Sequence, residues 1–374
     1  MKTIKNFLII TIPTLIVLFI ILEIFFRYGI KANEFPMHYY DEIDNIYKFD
    51  TNYARNGEWA VGKFAQYRGK WHINNMGWND EIDYITPRDT SKKLIAMFGD
   101  SQLEAFMAGL DGNITHFMRD SIGDKYDIYR FGKSGAPFSQ YIHMNRYSNK
   151  YWEPDILIFL IMHNDFNESI AGIARRTVFN QFSINGNTFE EIPPNHPTNS
   201  FLYNAVVKAN YYSAFFRYLF YNIKVTKFLV NNQTFQKFQA ADVKREFNAN
   251  IDVNNVKKYQ LIHRNSFDFF VEKCKEENPS KKLIFLMNAP QRDIYKGKIK
   301  DSSSSVLWLN TMVGEVCQEN EVEFIDLTPI MLEDWEKNHI RFNPEVDGHW
   351  NSYAHKIASN ALLNSINTKV SRSY

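Results

Sequence analysis

Five short apolar runs, spaced along the chain from residue 93 onward, constrain its fold more than any other feature. They are Lys93–Phe98 (KLIAMF), Tyr126–Phe131 (YDIYRF), Asp155–Met162 (DILIFLIM), Lys282–Asn288 (KLIFLMN) and Val322–Leu327 (VEFIDL), separated by helix-like stretches. A strand with one wet face alternates apolar and polar residues, whereas runs this continuous read as strands covered on both faces. Alternation of such strands with helices predicts an α/β fold: a parallel five-stranded sheet between two helical layers. One connection breaks the regularity. About 120 residues lie between the third and fourth runs, far more than one crossover helix needs. They hold an Asn185-Gly186 pair that suits a tight hairpin, a proline-rich Pro193-Pro194-Asn195-His196-Pro197 and a Tyr/Phe-rich helical stretch near 201–230. This reads as an inserted cap at about 167–254. A helix near 255–277 then returns the chain to the fourth strand.

The amino terminus carries a second signal. After Lys2 and Lys5 comes FLIITIPTLIVLFIILEIFF, with no charge until Glu23. About 20 helical residues span about 30 Å, the thickness of a bilayer core. A cleaved signal peptide needs a small-residue site after its apolar stretch, and here Glu-Ile-Phe-Phe-Arg-Tyr follows. Residues 1–31 therefore read as an uncleaved signal anchor, single-pass, with the body outside the cytoplasm, periplasmic or at the cell surface. Residues 32–91 form a polar, aromatic lead-in with short strands, and residues 92–370 form the main domain. The 43 Lys+Arg and 42 Asp+Glu leave a formal charge of +1, too little basic surplus for a nucleic-acid partner. Only Cys274 and Cys317 are present, which excludes a disulfide scaffold; the two read as buried free thiols, with a single bond between them in an oxidising compartment as the alternative.

In an open parallel sheet, ligands bind outside the carboxyl ends of the strands. Gly99-Asp100-Ser101-Gln102 follows the first strand, Gly132-Lys133-Ser134-Gly135 the second and His163-Asn164-Asp165 the third. Asp347-Gly348-His349-Trp350-Asn351 stands after the last. A serine hydroxyl needs a base to take its proton as it attacks, and a neutral imidazole suits that duty. His349 is the candidate base, and Asp347 the carboxylate that orients it. The Ser101 N–H, the Gly135 N–H and the Asn164 amide are candidate donors to the oxyanion that attack creates.

These four blocks, in this order, resemble the SGNH (GDSL-like) hydrolases, esterases and acetyl-group enzymes on a flavodoxin-like three-layer α/β/α sandwich. The similarity covers roughly 92–170 and 280–365. Matching by position implies Ser101 as nucleophile, Gly135 and Asn164 as oxyanion-hole donors, and Asp347 with His349 as the other triad members, with no cofactor and no metal. The anchor, the Ile73-Asn74-Asn75-Met76-Gly77-Trp78 stretch and the Asp347–Asn351 ending are similar to the bacterial envelope branch, whose members are linked to polysaccharide acyl groups. Gln102, Arg130 and His163 depart from the usual pattern and, with Asp100, Asp165 and Trp350, are expected around the pocket. A metal held by His163, Asp165, Asp347 and His349 is the alternative to a shaping role for the first two, and His355 reads as a surface or packing residue.

The reading is a serine esterase or deacylase acting on small acyl esters, such as acetyl, of envelope or extracellular carbohydrate. Two alternatives stand beside it. One is an O-acyltransferase modifying an envelope polysaccharide with a membrane acyl-donor protein as partner, the other a non-catalytic glycan-binding or assembly protein on the same fold.

Overall fold

The structure, a computed structural model, describes residues 7–173, 178–186, 188–194, 201–225 and 247–370. The five apolar runs form one parallel sheet: β1 (Lys93–Gly99), β2 (Tyr126–Gly132), β3 (Ile156–Ile161), β4 (Lys282–Met287) and β5 (Glu323–Asp326), in the order β5-β4-β3-β1-β2. The chain steps outward from β1 to β2, returns past β1 to β3 and continues to β4 and β5. That reversal places a crevice at the carboxyl ends of β1 and β3, the switch point of flavodoxin-like sheets. This is the layout that the resemblance implies.

Side chains alternate across the sheet. After β1 comes the single-turn α1 (Ser101–Glu104). Ile95 and Met97 pack with α2 (Ile114–Ile122), α6 (Leu327–Asn338) and α7 (Ser352–Val370). Leu94, Ala96 and Phe98 pack with α3 (Phe138–Trp152), α4 (Gln260–Glu277) and α5 (Leu307–Glu319). Parallel register brings Phe98 opposite both Phe131 and Phe159, and Phe159 opposite Phe285. Their rings stack with centroids 5.4, 5.1 and 5.2 Å apart. Such pairs contribute about 0.5–1.5 kcal/mol each beyond burial, and a one-residue slip would move every side chain of a strand to the opposite face. The register is therefore strongly specified. Strands β1 to β4 are buried on both faces over most of their length. Strand β5 is the exception: all four residues are half-buried, whereas β2, at the opposite edge, is buried from Ile128 to Gly132.

The helix expected near 255–277 is two helices, Val253–Lys258 and Gln260–Glu277, interrupted at Tyr259. In the insertion, the hairpin Gln181–Asn185/Thr188–Ile192 closes on the Asn185–Thr188 pair, one residue later than a central Asn-Gly turn requires. Phe182 of this hairpin packs on Phe138 and Phe269 in the α3/α4 layer. The aromatic stretch is helical over Phe201–Tyr212, Ala214–Arg217 and Tyr218–Asn222, and it packs against the amino-terminal helix. Residues 195–200 and 226–246, including Asn195-His196-Pro197 and the end of the 201–230 stretch, lie outside the described residues.

The apolar helix Phe7–Gly29 is long and apolar enough to cross a membrane, and none of its most apolar window is buried. The lead-in forms two hairpins, His38–Asp41/Ile46–Phe49 and Asn56–Val61/Tyr67–His72. Beyond them, Asn74 folds the Ile73–Trp78 stretch by accepting the N–H groups of Met76 and Trp78, each at 3.0 Å. The next residues enter the main domain. Arg119 grips Asp80 with two bonds of 2.7 Å, the Tyr84 hydroxyl lies 2.7 Å from the same carboxylate, and Arg130 lies 4.0 Å away. Burial pushes the Asp80 pKa up, but the two guanidinium groups outweigh it and the net shift is down. Asp80→Asn takes the nearest counter-charge from the buried Arg130 and leaves Arg119 with Glu81 alone, at 3.0 Å, and we expect it to destabilise the fold by about 3–5 kcal/mol in urea unfolding of the detergent-solubilised protein. Cys274 and Cys317 are buried free thiols.

Candidate active site

The end of β1 delivers Ser101. Asp100 caps α1 by accepting the Gln102 N–H at 2.9 Å. Ser101 thus becomes the first helical residue, whose N–H has no partner within the helix. The neighbouring strand approaches closely. At Gly132 a Cβ would lie 2.3 Å from the Glu104 nitrogen, so only glycine lets β2 end beside α1. Three residues on, Gly135 has φ +80°, a left-handed conformation that side-chain-bearing residues adopt at a cost. This turn brings Gly135 to the cavity that Ser101 and Asn164 also line.

Asp347 and His349 come from the loop between α6 and α7. The loop is pinned from both ends. Asn343 donates to the Asp347 carbonyl at 2.7 Å, and the Trp350 N–H donates to the Gln102 side chain at 2.7 Å. The fully buried Trp350 indole donates to Asn288 at 3.0 Å and packs edge-on against His355. Gln102 and Trp350 therefore tie the serine turn to the histidine loop, each through the residue adjacent in sequence. His355 is a packing residue, and burial lowers its pKa to about 3.

Asp347 Oδ1 takes the His349 backbone N–H at 2.9 Å and also the ring Nδ1, while Nε2 lies 2.9 Å from the Ser101 hydroxyl. Burial lowers the His349 pKa, but the bond to Asp347 and the charges of Asp347, Asp100 and Glu104 outweigh it and raise it above 6.5. Burial pushes Asp347 up, and His349 brings it below the usual carboxylate range. This chain of contacts lets the imidazole take the Ser101 proton as the oxygen attacks, with the carboxylate stabilising the imidazolium. Asn164 donates to Glu168 at 3.1 Å and also bonds Asp100, whose pKa burial raises to about 6. An oxyanion entering the cavity would take over one of these bonds.

Two lobes meet at Ser101, His349 and Asn164. One, about 260 Å³, is walled by Phe35, Trp59, Phe106 and Met107 and reaches Ser134 and Gly135. The other, about 600 Å³, is polar and includes Lys224, Asn250, Arg292, Arg341 and Glu345. Asp100 lines both and Gln102 the second.

Four residues expected at the pocket lie elsewhere: Trp350, buried beneath the histidine loop and lining neither lobe, and three more. Arg130 is buried against Asp80 and the Asn79 carbonyl, because strand alternation turns it away from the cavity. His163 faces Asn310 at 2.9 Å, and burial lowers its pKa to about 4. Asp165 folds back onto the Met162 N–H at 2.9 Å and the Tyr141 hydroxyl at 3.1 Å, and burial pushes its pKa well up. Their directions differ from those of Asp347 and His349, and among the described residues no three His, Cys, Asp or Glu side chains are grouped to hold a metal.

Other contributors escaped the sequence reading. Phe35 and Trp59 come from the lead-in, where no periodicity marks them. Glu104, buried at the end of α1, accepts the Ser134 hydroxyl and lies 3.8 Å from the buried Lys133 ammonium. Burial pushes Glu104 up and Lys133 down. Its place three residues after Ser101, on one helical turn, was the signal available.

No protein-family model and no curated protein matches the chain. Solved structures to which the chain is similar include a catalytic mutant of an acetylxylan esterase from Geobacillus stearothermophilus. It is 10% identical, with 74% of this chain and 95% of that one covered and a TM-score of 0.40. A member of the lipolytic G-D-S-L family from Veillonella parvula is 11% identical over 73% and 97%, with a TM-score of 0.36. A lipase/acylhydrolase from Enterococcus faecalis is 11% identical over 74% and 96%, with a TM-score of 0.37.

Proposed function

We propose that this chain is a membrane-anchored serine hydrolase of the SGNH type that cleaves small acyl esters, such as acetyl, from envelope or extracellular carbohydrate through an acyl-serine intermediate. One observation carries the reading: Ser101, His349 and Asp347, brought together from opposite ends of the main domain, form a continuous hydrogen-bonded chain at the carboxyl rim of the sheet. Ser101 attacks the ester carbonyl while His349 takes its proton. The oxyanion is met by the Ser101 N–H, the Gly135 N–H and the Asn164 amide. His349 then gives its proton to the departing alcohol, and a water activated by the same ring releases the acid. The aromatic lobe, narrow and apolar, suits the acyl group, and the larger polar lobe suits the sugar. Residues 1–31 anchor the body outside the cytoplasm, residues 32–91 complete the aromatic wall, and residues 92–370 carry the chemistry, with the insertion at 167–254.

A serine-reactive fluorophosphonate tests the mechanism directly. Mass spectrometry of the labelled full chain should find the adduct on the peptide containing Ser101, and labelling of some other serine alone would refute the assignment. Transfer to a sugar hydroxyl, with a membrane acyl donor, is the second reading, favoured by the size of the polar lobe beside Ser101. It requires acyl transfer to an added glycan to outpace hydrolysis of the same donor. A non-catalytic glycan binder would instead bind glycan as Ser101→Ala and hydrolyse nothing as wild type.

The pH dependence follows from the imidazole. His349 acts as base only when neutral, and Asp347 raises its pKa. The kcat/KM on an aryl acetate should therefore rise with pH through an inflection above 6.5. Asp347→Asn removes the main cause of the upward shift, and the inflection should fall while the maximum rate drops. An inflection unchanged in that variant would dissociate Asp347 from His349.

A further inference from the structure

The amino-terminal helix Phe7–Gly29 carries one acidic residue, Glu23, six positions before its end, or about 9 Å along the axis. An ionisable side chain within an apolar span is costly unless partners meet it. Its oxygens are met by the aromatic stretch of the insertion: the Ser213 hydroxyl at 2.8 Å, the Ala214 N–H at 2.9 Å and the Phe215 N–H at 3.0 Å, with Arg27 closing the set. Arg27 also donates to the Tyr212 carbonyl at 3.0 Å. Deeper along the helix, Phe19 meets Phe215 and Phe216, while nearer its end Phe26 stacks on Tyr218 at 3.8 Å. Contact thus runs from Phe19 to Arg27, so wherever this part of the helix sits, residues 212–218 sit beside it. Around these contacts Val206, Tyr212 and Tyr221 are exposed, an aromatic and apolar surface of the kind that settles at the membrane–water boundary.

The same stretch is built into the candidate site. Tyr221 stacks on Phe35 of the aromatic lobe at 5.7 Å, and Lys224 lines the polar lobe. Lys224 follows Tyr218 by six residues, at most about 20 Å of fully extended chain. A domain of this size is about 50 Å across.

We infer that the aromatic stretch 205–222 is seated in the lipid bilayer beside the amino-terminal helix and holds the rim of the Ser101 cavity close to the membrane surface. The inference rests on the anchored reading above and adds the bilayer as a binding partner of the insertion. Single cysteines test it in the full chain, since Cys274 and Cys317 are buried. Tyr212→Cys, Val206→Cys, Ile20→Cys on the apolar helix and Ile43→Cys on the exposed lead-in hairpin are each labelled with a fluorophore and placed in phosphatidylcholine vesicles containing lipids brominated near the headgroup. Labels at 212 and 206 should be quenched severalfold more than the label at 43. Quenching at 20, with 212 and 206 no more quenched than 43, overturns the inference and leaves the anchor standing. A label at 20 that escapes quenching by deeper-brominated lipids as well overturns both. Aryl acetate hydrolysis by unlabelled protein in detergent reports on the serine chemistry separately.

Discussion

Ser101→Ala and His349→Ala should each lower kcat/KM on an activated acetyl ester by at least about 10³-fold, with the fold intact. The first variant removes the oxygen that becomes acylated. The second removes the group 2.9 Å away that takes its proton. Because the two act as one unit, the double variant should be no slower than the worse single one, as removal of either already abolishes the shared step. Structural damage should be small: Ser101 is half-buried, and the loss of its hydroxyl removes one hydrogen bond, worth about 1 kcal/mol. Steady-state rates and thermal unfolding midpoints on the same preparations separate the two effects. Rates near wild type in both single variants would end the catalytic interpretation.

Asn164→Ala should lower kcat by about 10²–10³-fold with little change in KM, since a donor aimed at the oxyanion acts mainly in the transition state. The substitution has a second consequence. Glu168 and Asp100 now share the Asn164 amide, and both are buried. Removing that donor leaves two carboxylates less well satisfied, so some loss of stability accompanies the loss of rate. The kcat per folded molecule, determined after active-site titration with the fluorophosphonate, isolates the catalytic part. A variant that keeps its kcat while KM rises would place Asn164 in ground-state binding instead.

The sheet was readable in the sequence because each strand is a continuous apolar run ended by glycine or a polar residue, and burial on both faces forces that composition. Strand β5, Glu323–Asp326, shows the limit: its apolar residues suggested full cover, but all four are half-buried, because helices cover this edge less completely than the one at β2. Serine, asparagine and histidine at loop starts pointed to chemistry because the carboxyl ends of parallel strands converge. Arg130, His163 and Asp165 misled for a related reason. Proximity in sequence to a converging residue says nothing about which way a side chain turns, and alternation along β2 and the tight turn after β3 send these three into the interior. The aromatic wall was hidden more deeply, since Phe35 and Trp59 reach the site only through tertiary packing of an irregular segment. The Asn74 turn and the Asp80 network show how that segment is tied to the main domain, through polar contacts that no hydrophobic period announces.

The meeting of a narrow aromatic lobe and a wide polar one at a single hydroxyl has a kinetic consequence for the proposed reaction. The departing sugar and any incoming acceptor must use the same side of the serine, since the acyl group fills the other. Where a sugar hydroxyl is the acceptor, the first product must therefore vacate before the second reactant enters, a ping-pong sequence that gives parallel lines in double-reciprocal plots. Free sugar in excess would then run the first half-reaction backwards and regenerate the starting ester.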